Sequence, residues 1–141
     1  MATVDLPDIN VWLAMSAPDH VHRARAERYW REEASPHIAF TAITMLGFVR
    51  LASTAPIFNG LPLSAPEAWS VYLSWIKESV QVEEPRQCRK ILHGWVGDGF
   101  VTSRTWTDAY LAAFALAGSL RLVSFDKDFG RFSELDFLHL S

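Results

Sequence analysis

The sequence predicts an α/β fold, a mostly parallel central sheet with helices on both faces. Short apolar runs alternate with helical stretches along the whole chain, and the connections between them are long enough for the crossovers that parallel neighbours require. The 141 residues suit one domain, read as a single unit over 1–141. Half of the residues are hydrophobic, 13% are aromatic and 21% are charged, a balance that fills a core and argues against disorder.

The first strand is predicted over Thr3 to Leu6, stopping at Pro7-Asp8, and Val11 to Met15 opens a helix. A longer helix is expected from Pro18-Asp19 to about Glu33, with Asp19 as N-cap and a Glu27–Arg31 pair on its solvated side. His37 to Phe40 reads as a second strand feeding a helix from Thr41 towards Ser53, with Thr41 and Thr44 in its first turn. Two prolines and Asn59-Gly60 make 56–62 a loop before a helix from about Ala65 to Glu78. A brief strand at Val80 to Val82, a helix from about Arg86 to Val96 and the Gly97-Asp98-Gly99 turn follow. Thr105 starts an apolar helix to Ala117 that Gly118 should end, Arg121 to Ser124 is a buried strand, and Phe137 to Leu140 is a short last one.

The single cysteine, Cys88, permits no internal disulfide, which fits a reducing, cytoplasmic setting. The N-terminus carries no basic signal-like region, and the apolar stretch Ile43 to Ala52 is broken by Gly47 and Arg50, so neither secretion nor membrane insertion is expected. A net charge of −3 argues against coating nucleic acid by bulk electrostatics, while leaving room for a local basic groove. His20 and His22 have no third ligand to complete a zinc set, and Cys88 lacks the surroundings of a nucleophile. Trp12, Trp30, Trp69 and Trp75 are core candidates first; those on the early helices also suit a groove for a partner helix. Arg23, Arg25, Arg28 and Arg31 are either a solvated face or a phosphate-recognising one.

In an open parallel sheet the functional crevice lies beyond the carboxyl ends of the strands, at a topological switch point. Asp8 follows the first strand, Asp126 and Asp128 follow Arg121 to Ser124, and Asp108 sits in the first turn of the preceding helix. Each acid has a plain alternative: Asp8 as a helix cap, Asp108 favoured by the helix dipole, Asp126 and Asp128 as loop residues. Taken together they suit a hard divalent cation such as Mg²⁺, which prefers oxygen ligands, retains water and serves phosphodiester hydrolysis. Metal bound by these four would also remove the excess negative charge that opposes a polyanionic substrate. A phosphatase with Asp8 as nucleophile would want an acid two residues later, where Asn10 stands.

Four blocks of the chain, Pro7-Asp8-Ile-Asn10-Val-Trp-Leu-Ala14, Thr41-Ala-Ile-Thr44 with Gly47-Phe-Val-Arg50, Thr105-Trp-Thr-Asp108-Ala-Tyr-Leu-Ala-Ala113 and Ser124-Phe-Asp126-Lys-Asp128-Phe129, resemble those of PIN-domain proteins, most closely the VapC toxins of type II toxin-antitoxin systems. The resemblance spans nearly the whole chain in the right order. It implies a Mg²⁺- or Mn²⁺-dependent endoribonuclease with Asp8, Asp108 and Asp126 as acidic metal ligands and Asp128 as an auxiliary. It further implies that Asn10 and Ser124 orient carboxylates or waters and that Thr41 and Thr44 line the same pocket. Arg50 is read as buried or pocket-facing, a candidate for substrate contact. The implied partners are RNA, a cognate antitoxin protein and a second copy of the chain. Many relatives carry a glutamate in the helix after the second strand; the matching position here is Met45, whose thioether is a poor ligand for a hard cation. A weakened metal site, or a PIN-like RNA- or protein-binding module without turnover, is therefore the alternative expectation.

Overall fold

A computed structural model describes residues 3–141. Five strands, β1 (Val4–Pro7), β2 (His37–Phe40), β3 (Val80–Gln81), β4 (Arg121–Ser124) and β5 (Phe137–His139), form one sheet in the order β3-β2-β1-β4-β5, every pairing parallel. Six helices connect them: α1 (Ile9–Ser16), α2 (Arg23–Arg28), α3 (Ala42–Ala52), α4 (Ala65–Ile76), α5 (Cys88–Gly97) and α6 (Trp106–Gly118). From β1 the chain winds outward through β2 and β3, then returns to β1's other side with β4 and β5, so the strand order reverses between β1 and β4. That is where the crevice at the sheet's carboxyl end opens.

The period-two alternation of the strands sorts the core into two layers. Ile38, Phe40 and Val123 face Trp12, Tyr29 and Phe48, on the α1–α4 side. Leu6, Ala39 and Leu122 face Leu111, Phe114, Phe129 and Cys88, on the α5 and α6 side. Trp12 stacks on Phe40 with ring centroids 4.0 Å apart and meets Trp30 and Trp75 edge-on or tilted, so three of the four tryptophans weighed as core residues pack together. Trp69 instead stays exposed. Cys88 is fully buried, and its burial pushes the thiol pKa up to about 11, as befits an unreactive packing residue.

Several local expectations are corrected. The long helix does not start at Asp19: residues 17–22 form turns, with His20 N donating to the Ala17 carbonyl and Arg23 N to that of His20, and α2 begins at Arg23 without a side-chain cap. Its continuation, Tyr29–Glu33, widens into a π turn, where the Ala34 amide reaches the Tyr29 carbonyl. Glu27 pairs with Arg23 at 2.7 Å rather than with Arg31. Ser119, at φ 54°, takes the left-handed position at the end of α6, and Gly118 is still helical; a Cβ there would crowd Pro85 Cγ at 3.1 Å. At the predicted 56–62 loop, Asn59 and Gly60 both have positive φ and close a tight turn between Phe58 and Leu61.

Candidate active site

The carboxyl end of β1 delivers Asp8 as the N-cap of α1. One carboxylate oxygen accepts the Ile9 amide at 2.8 Å and the other accepts the Ser124 hydroxyl at 2.9 Å. Ser124, fully buried at the end of β4, also accepts from the Asp126 amide at 2.9 Å and from Asn10 Nδ2 at 3.1 Å. One donor and two acceptor positions on a single hydroxyl are thereby used, tying β1, α1 and the β4 exit together. Asn10 Oδ1 takes the Phe125 amide at 3.3 Å, closing the bracket. Ser124 thus touches the Asp8 carboxylate directly, and Asn10 reaches it only through Ser124.

Asp126 begins the short 3-10 turn Lys127–Arg131, accepting the Asp128 amide through Oδ1 at 2.9 Å. Asp108 lies half-buried in the first turn of α6, with no side-chain hydrogen bond among the described residues. Burial raises its pKa, and the negative charges of Asp8, Asp126 and Asp128 raise it further, against the opposing charge of Arg131. Burial likewise raises the pKa of Asp8; hydrogen bonds from Ser124 and Ile9 oppose the rise, and the charge of Asp126 adds to it. Four aspartates from three distant segments therefore share one electrostatic neighbourhood. Asp108 and Asp128 border an open cavity of about 460 Å³ with Thr105, Lys127 and Arg131.

Among the described residues no three acidic, histidine or cysteine side chains come together closely enough to hold a metal ion between them. The donor set nevertheless fits a hard cation in kind: every candidate ligand is a carboxylate oxygen, and two of them are destabilised as anions by burial, with the charges of their neighbours adding to it. Such an open set would leave much of the coordination shell to water, as Mg²⁺ prefers.

Thr41 and Thr44 are buried and exchange hydrogen bonds of 2.9 and 3.2 Å between side chain and amide, a capping box that starts α3. Arg50 is exposed rather than buried; it borders a 710 Å³ apolar cavity with Ile43, Leu46 and Trp69. The His20 and His22 pair forms no metal set: His20 Nδ1 accepts the His22 amide and the His22 ring stacks on Phe125. Sequence reasoning misses Arg131 and Lys127, which lie five residues and one residue beyond Asp126, on the same short turn as Asp128.

The sequence pattern that defines the PIN domain matches residues 6–135. The chain belongs to the PIN-domain family. Ribonuclease VapC41 of Mycobacterium tuberculosis is 30% identical over 148 residues, spanning 93% of this chain and 94% of that protein. Ribonuclease VapC39 of the same organism is 31% identical over 131 residues, spanning 86% and 87%. The crystal structure of M. tuberculosis VapC20, a sarcin-ricin loop cleaving toxin, matches with a TM-score of 0.69 at 15% identity, over 94% of this chain and 97% of that one. VapBC2 from Rickettsia felis, bound to a DNA fragment from its promoter, matches with a TM-score of 0.70 at 12% identity, over 98% and 99%. At these identities the structural likeness speaks for the fold, and the five-stranded parallel sheet is that of the PIN domain.

In this PIN domain Met45 does not border the cavity that Asp108 and Asp128 share. It borders a separate cavity of about 370 Å³ with Thr41, Tyr72, Glu84 and Tyr110, whose lining includes neither Asp8, Asp108 nor Asp126. Gly47 is where α3 meets the residue following Asp8, so closely that a Cβ would collide with Ile9 Cδ1. No residue of α3 is acidic, so the lack of a carboxylate belongs to the whole helix rather than to one position. Met45→Glu is accordingly expected to leave Mn²⁺ affinity within about twofold of the wild type, since a charge outside the cluster acts only through screening solvent. Titration of Mn²⁺ by calorimetry or paramagnetic line broadening checks this, and a tenfold gain in affinity would return Met45 to the site.

Proposed function

We propose that the protein is a metal-dependent endoribonuclease toxin of a type II toxin-antitoxin system, hydrolysing RNA phosphodiester bonds. The observation that carries the reading is the gathering of Asp8, Asp108 and Asp126 at the β1/β4 switch point, where burial first, with neighbouring negative charge adding to it, disfavours the ionised forms of Asp8 and Asp108. The ribonuclease names of relatives that match over nearly their full length support it. Asp8, Asp108 and Asp126 would hold Mg²⁺, or Mn²⁺ in its place, with Asp128 as auxiliary. A divalent ion bound there supplies charge neutralisation for the phosphodiester and lowers the pKa of water. Ser124 and Asn10 keep the Asp8 carboxylate and the Asp126 backbone at fixed separation. Arg50, exposed on α3, borders a cavity lined also by Ile9 and Thr107, the neighbours of Asp8 and Asp108, and would serve substrate contact rather than metal binding.

A small antitoxin protein is the proposed partner, in keeping with the VapBC complexes among the structural relatives. The aromatic groove of about 340 Å³ bordered by Met15, Trp30 and Trp75, with Arg23 and Arg31 at its rim, suits an amphipathic helix carrying acidic residues. Self-association to a homodimer, implied by the family, has exposed apolar side chains available at Leu46 and Trp69. No helix among the described residues is long and apolar enough to cross a membrane, and action on RNA would take place in the cytoplasm.

Gel cleavage of structured and single-stranded RNAs by purified, antitoxin-free protein tests the reading. Cutting in Mg²⁺ or Mn²⁺ that EDTA abolishes is the expected result. Intact RNA under every condition, from folded protein, would overturn it in favour of a binding module without turnover, the reading that the absence of an acid on α3 favours. Phosphate release from small monoesters with RNA left whole would indicate a phosphatase.

A further inference from the structure

The cavity beside the aspartates is not uniformly acidic. Asp108 and Asp128 share it with Lys127 and Arg131, and Thr105 and Phe132 complete its wall. An arginine this close to carboxylates would ordinarily form an ion pair with one of them. Among the described residues Arg131 forms none. Its guanidinium lies over the Phe132 ring at 4.3 Å and the Phe100 ring at 4.8 Å, and Nη1 donates to the Phe100 carbonyl at 3.0 Å. Among the described residues Nε and Nη2 make no hydrogen bond with protein. The side chain is thus held away from the acids by two aromatic faces and one carbonyl, with part of its donor fork uncommitted. Lys127, four residues earlier on the same 3-10 turn, is exposed and unpaired among the described residues.

We propose that Arg131 and Lys127 form a phosphate-binding subsite that holds the RNA backbone next to the phosphodiester under attack. The inference rests on the ribonuclease reading and deepens it by assigning the path of the strand: along the 3-10 turn, over the cavity bounded by Thr105 and Phe132. The chemistry is specific to a phosphodiester anion. A planar guanidinium presents parallel N–H donors that match two phosphate oxygens, and an ammonium adds a point charge beside it. Pre-orientation by the Phe100 and Phe132 rings lowers the entropic cost of binding. It also solves an electrostatic problem, because four aspartates repel the polyanion that must approach them and these two cations stand at the entrance to the cluster. Cations of this kind position the strand without reading bases, so they raise affinity for all sequences alike.

The test compares wild type, Arg131→Gln, Lys127→Gln and the double variant, with Lys77→Gln, exposed at the end of α4, as control. Binding of a fluorescein-labelled single-stranded oligoribonucleotide is followed by anisotropy in EDTA across a range of salt concentrations, and cleavage kinetics are measured in Mg²⁺. Removing either cation should reduce the slope of log K against log salt by about 0.7, and removing both by about 1.4. KM for RNA should rise roughly tenfold in the double variant while kcat changes less than about threefold, the signature of impaired positioning rather than impaired chemistry. Thermal melting accompanies each variant. Lys127→Gln keeps the test decisive if Arg131→Gln unfolds, since Lys127 packs against nothing in the core.

Unchanged salt slopes in folded Lys127→Gln and Arg131→Gln would overturn the subsite, even if the wild type cleaves RNA and the ribonuclease reading stands. A fall in kcat alone would also overturn it, making Arg131 a support for Asp108. If the wild type binds RNA with the expected slopes but does not cut it, the subsite stands and the nuclease reading falls. No binding to RNA by the wild type overturns both.

Discussion

Asp126→Asn is expected to reduce RNA cleavage by roughly 100-fold or more while leaving the protein folded. The two halves of that expectation rest on different atoms. Asp126 uses Oδ1 to accept the Asp128 amide and its own amide to reach Ser124 Oγ. Asparagine keeps a carbonyl oxygen in place of Oδ1 and has the same backbone, so the 3-10 turn and the Ser124 bracket survive. What disappears is one negative charge in the cluster that would hold a divalent cation, and a metal-assisted step that loses several kcal/mol of charge stabilisation slows by about tenfold for every 1.4 kcal/mol. The substitution also removes one of the charges that raise the pKa values of Asp8 and Asp108, so those groups should lose their protons at lower pH than in the wild type. Cleavage rates in saturating Mg²⁺, with thermal melting in parallel, check the prediction. Activity within threefold of wild type from a folded variant would remove Asp126 from the reacting set.

The degree to which this site is legible in the sequence follows from what each residue depends on. Asp8 and Asp126 can be placed because each directly follows a recognisable strand, and a parallel sheet sends its strand ends to one edge. Asp108 can be placed because the first turn of α6 faces that same edge. Met45 is the position the family resemblance suggests for an acid, but the phase of a helix about its own axis is set by how it docks, and it is Gly47, two residues on, that α3 brings against Ile9. Thr41 and Thr44 have the spacing of a capping box as much as of a pocket lining, and local hydrogen bonding prevails. The start of α2 is misleading in the sequence because Asp19 has the chemistry of a cap, while the turns formed by Ala17, His20 and Arg23 decide where the helix begins. Arg131 draws no notice because its meaning comes from Phe100 and Phe132, one of them more than 30 residues away.

Asp5 is invisible for the same reason, and it carries the largest stability effect to be expected in the molecule. It is a carboxylate within the innermost strand, fully buried, towards the opposite end of β1 from Asp8. Arg121 on the neighbouring strand β4 grips both of its oxygens at 2.9 Å, Tyr29 donates its hydroxyl at 2.6 Å, and Ser35 donates its amide at 3.0 Å and its hydroxyl at 2.6 Å. Burial opposes the charge, but the hydrogen bonds from Arg121, Ser35 and Tyr29 together hold the Asp5 pKa below its ordinary value. Asp5→Ala leaves the buried Tyr29 phenol and Ser35 without their acceptor and leaves the partly buried Arg121 guanidinium with only the Glu33 carbonyl. Breaking one partner of such a pair costs about 3–5 kcal/mol, a large part of the roughly 5–15 kcal/mol that holds a domain folded. The melting temperature should fall by roughly 10–20 °C. Because the folded-state pKa is depressed, the stabilisation from ionised Asp5 is fully present above the unfolded value near 3.8 and is lost as pH falls through the folded one. Urea unfolding should therefore show a wide gap between wild type and Asp5→Ala at neutral pH that narrows on acidification below about pH 4. Asp5→Asn, which keeps an acceptor but not the charge, should lie between the two. A gap under about 1 kcal/mol at neutral pH, or one that widens in acid, would mean that β1 and β4 are held together by apolar packing alone and that the ion pair only balances its own desolvation.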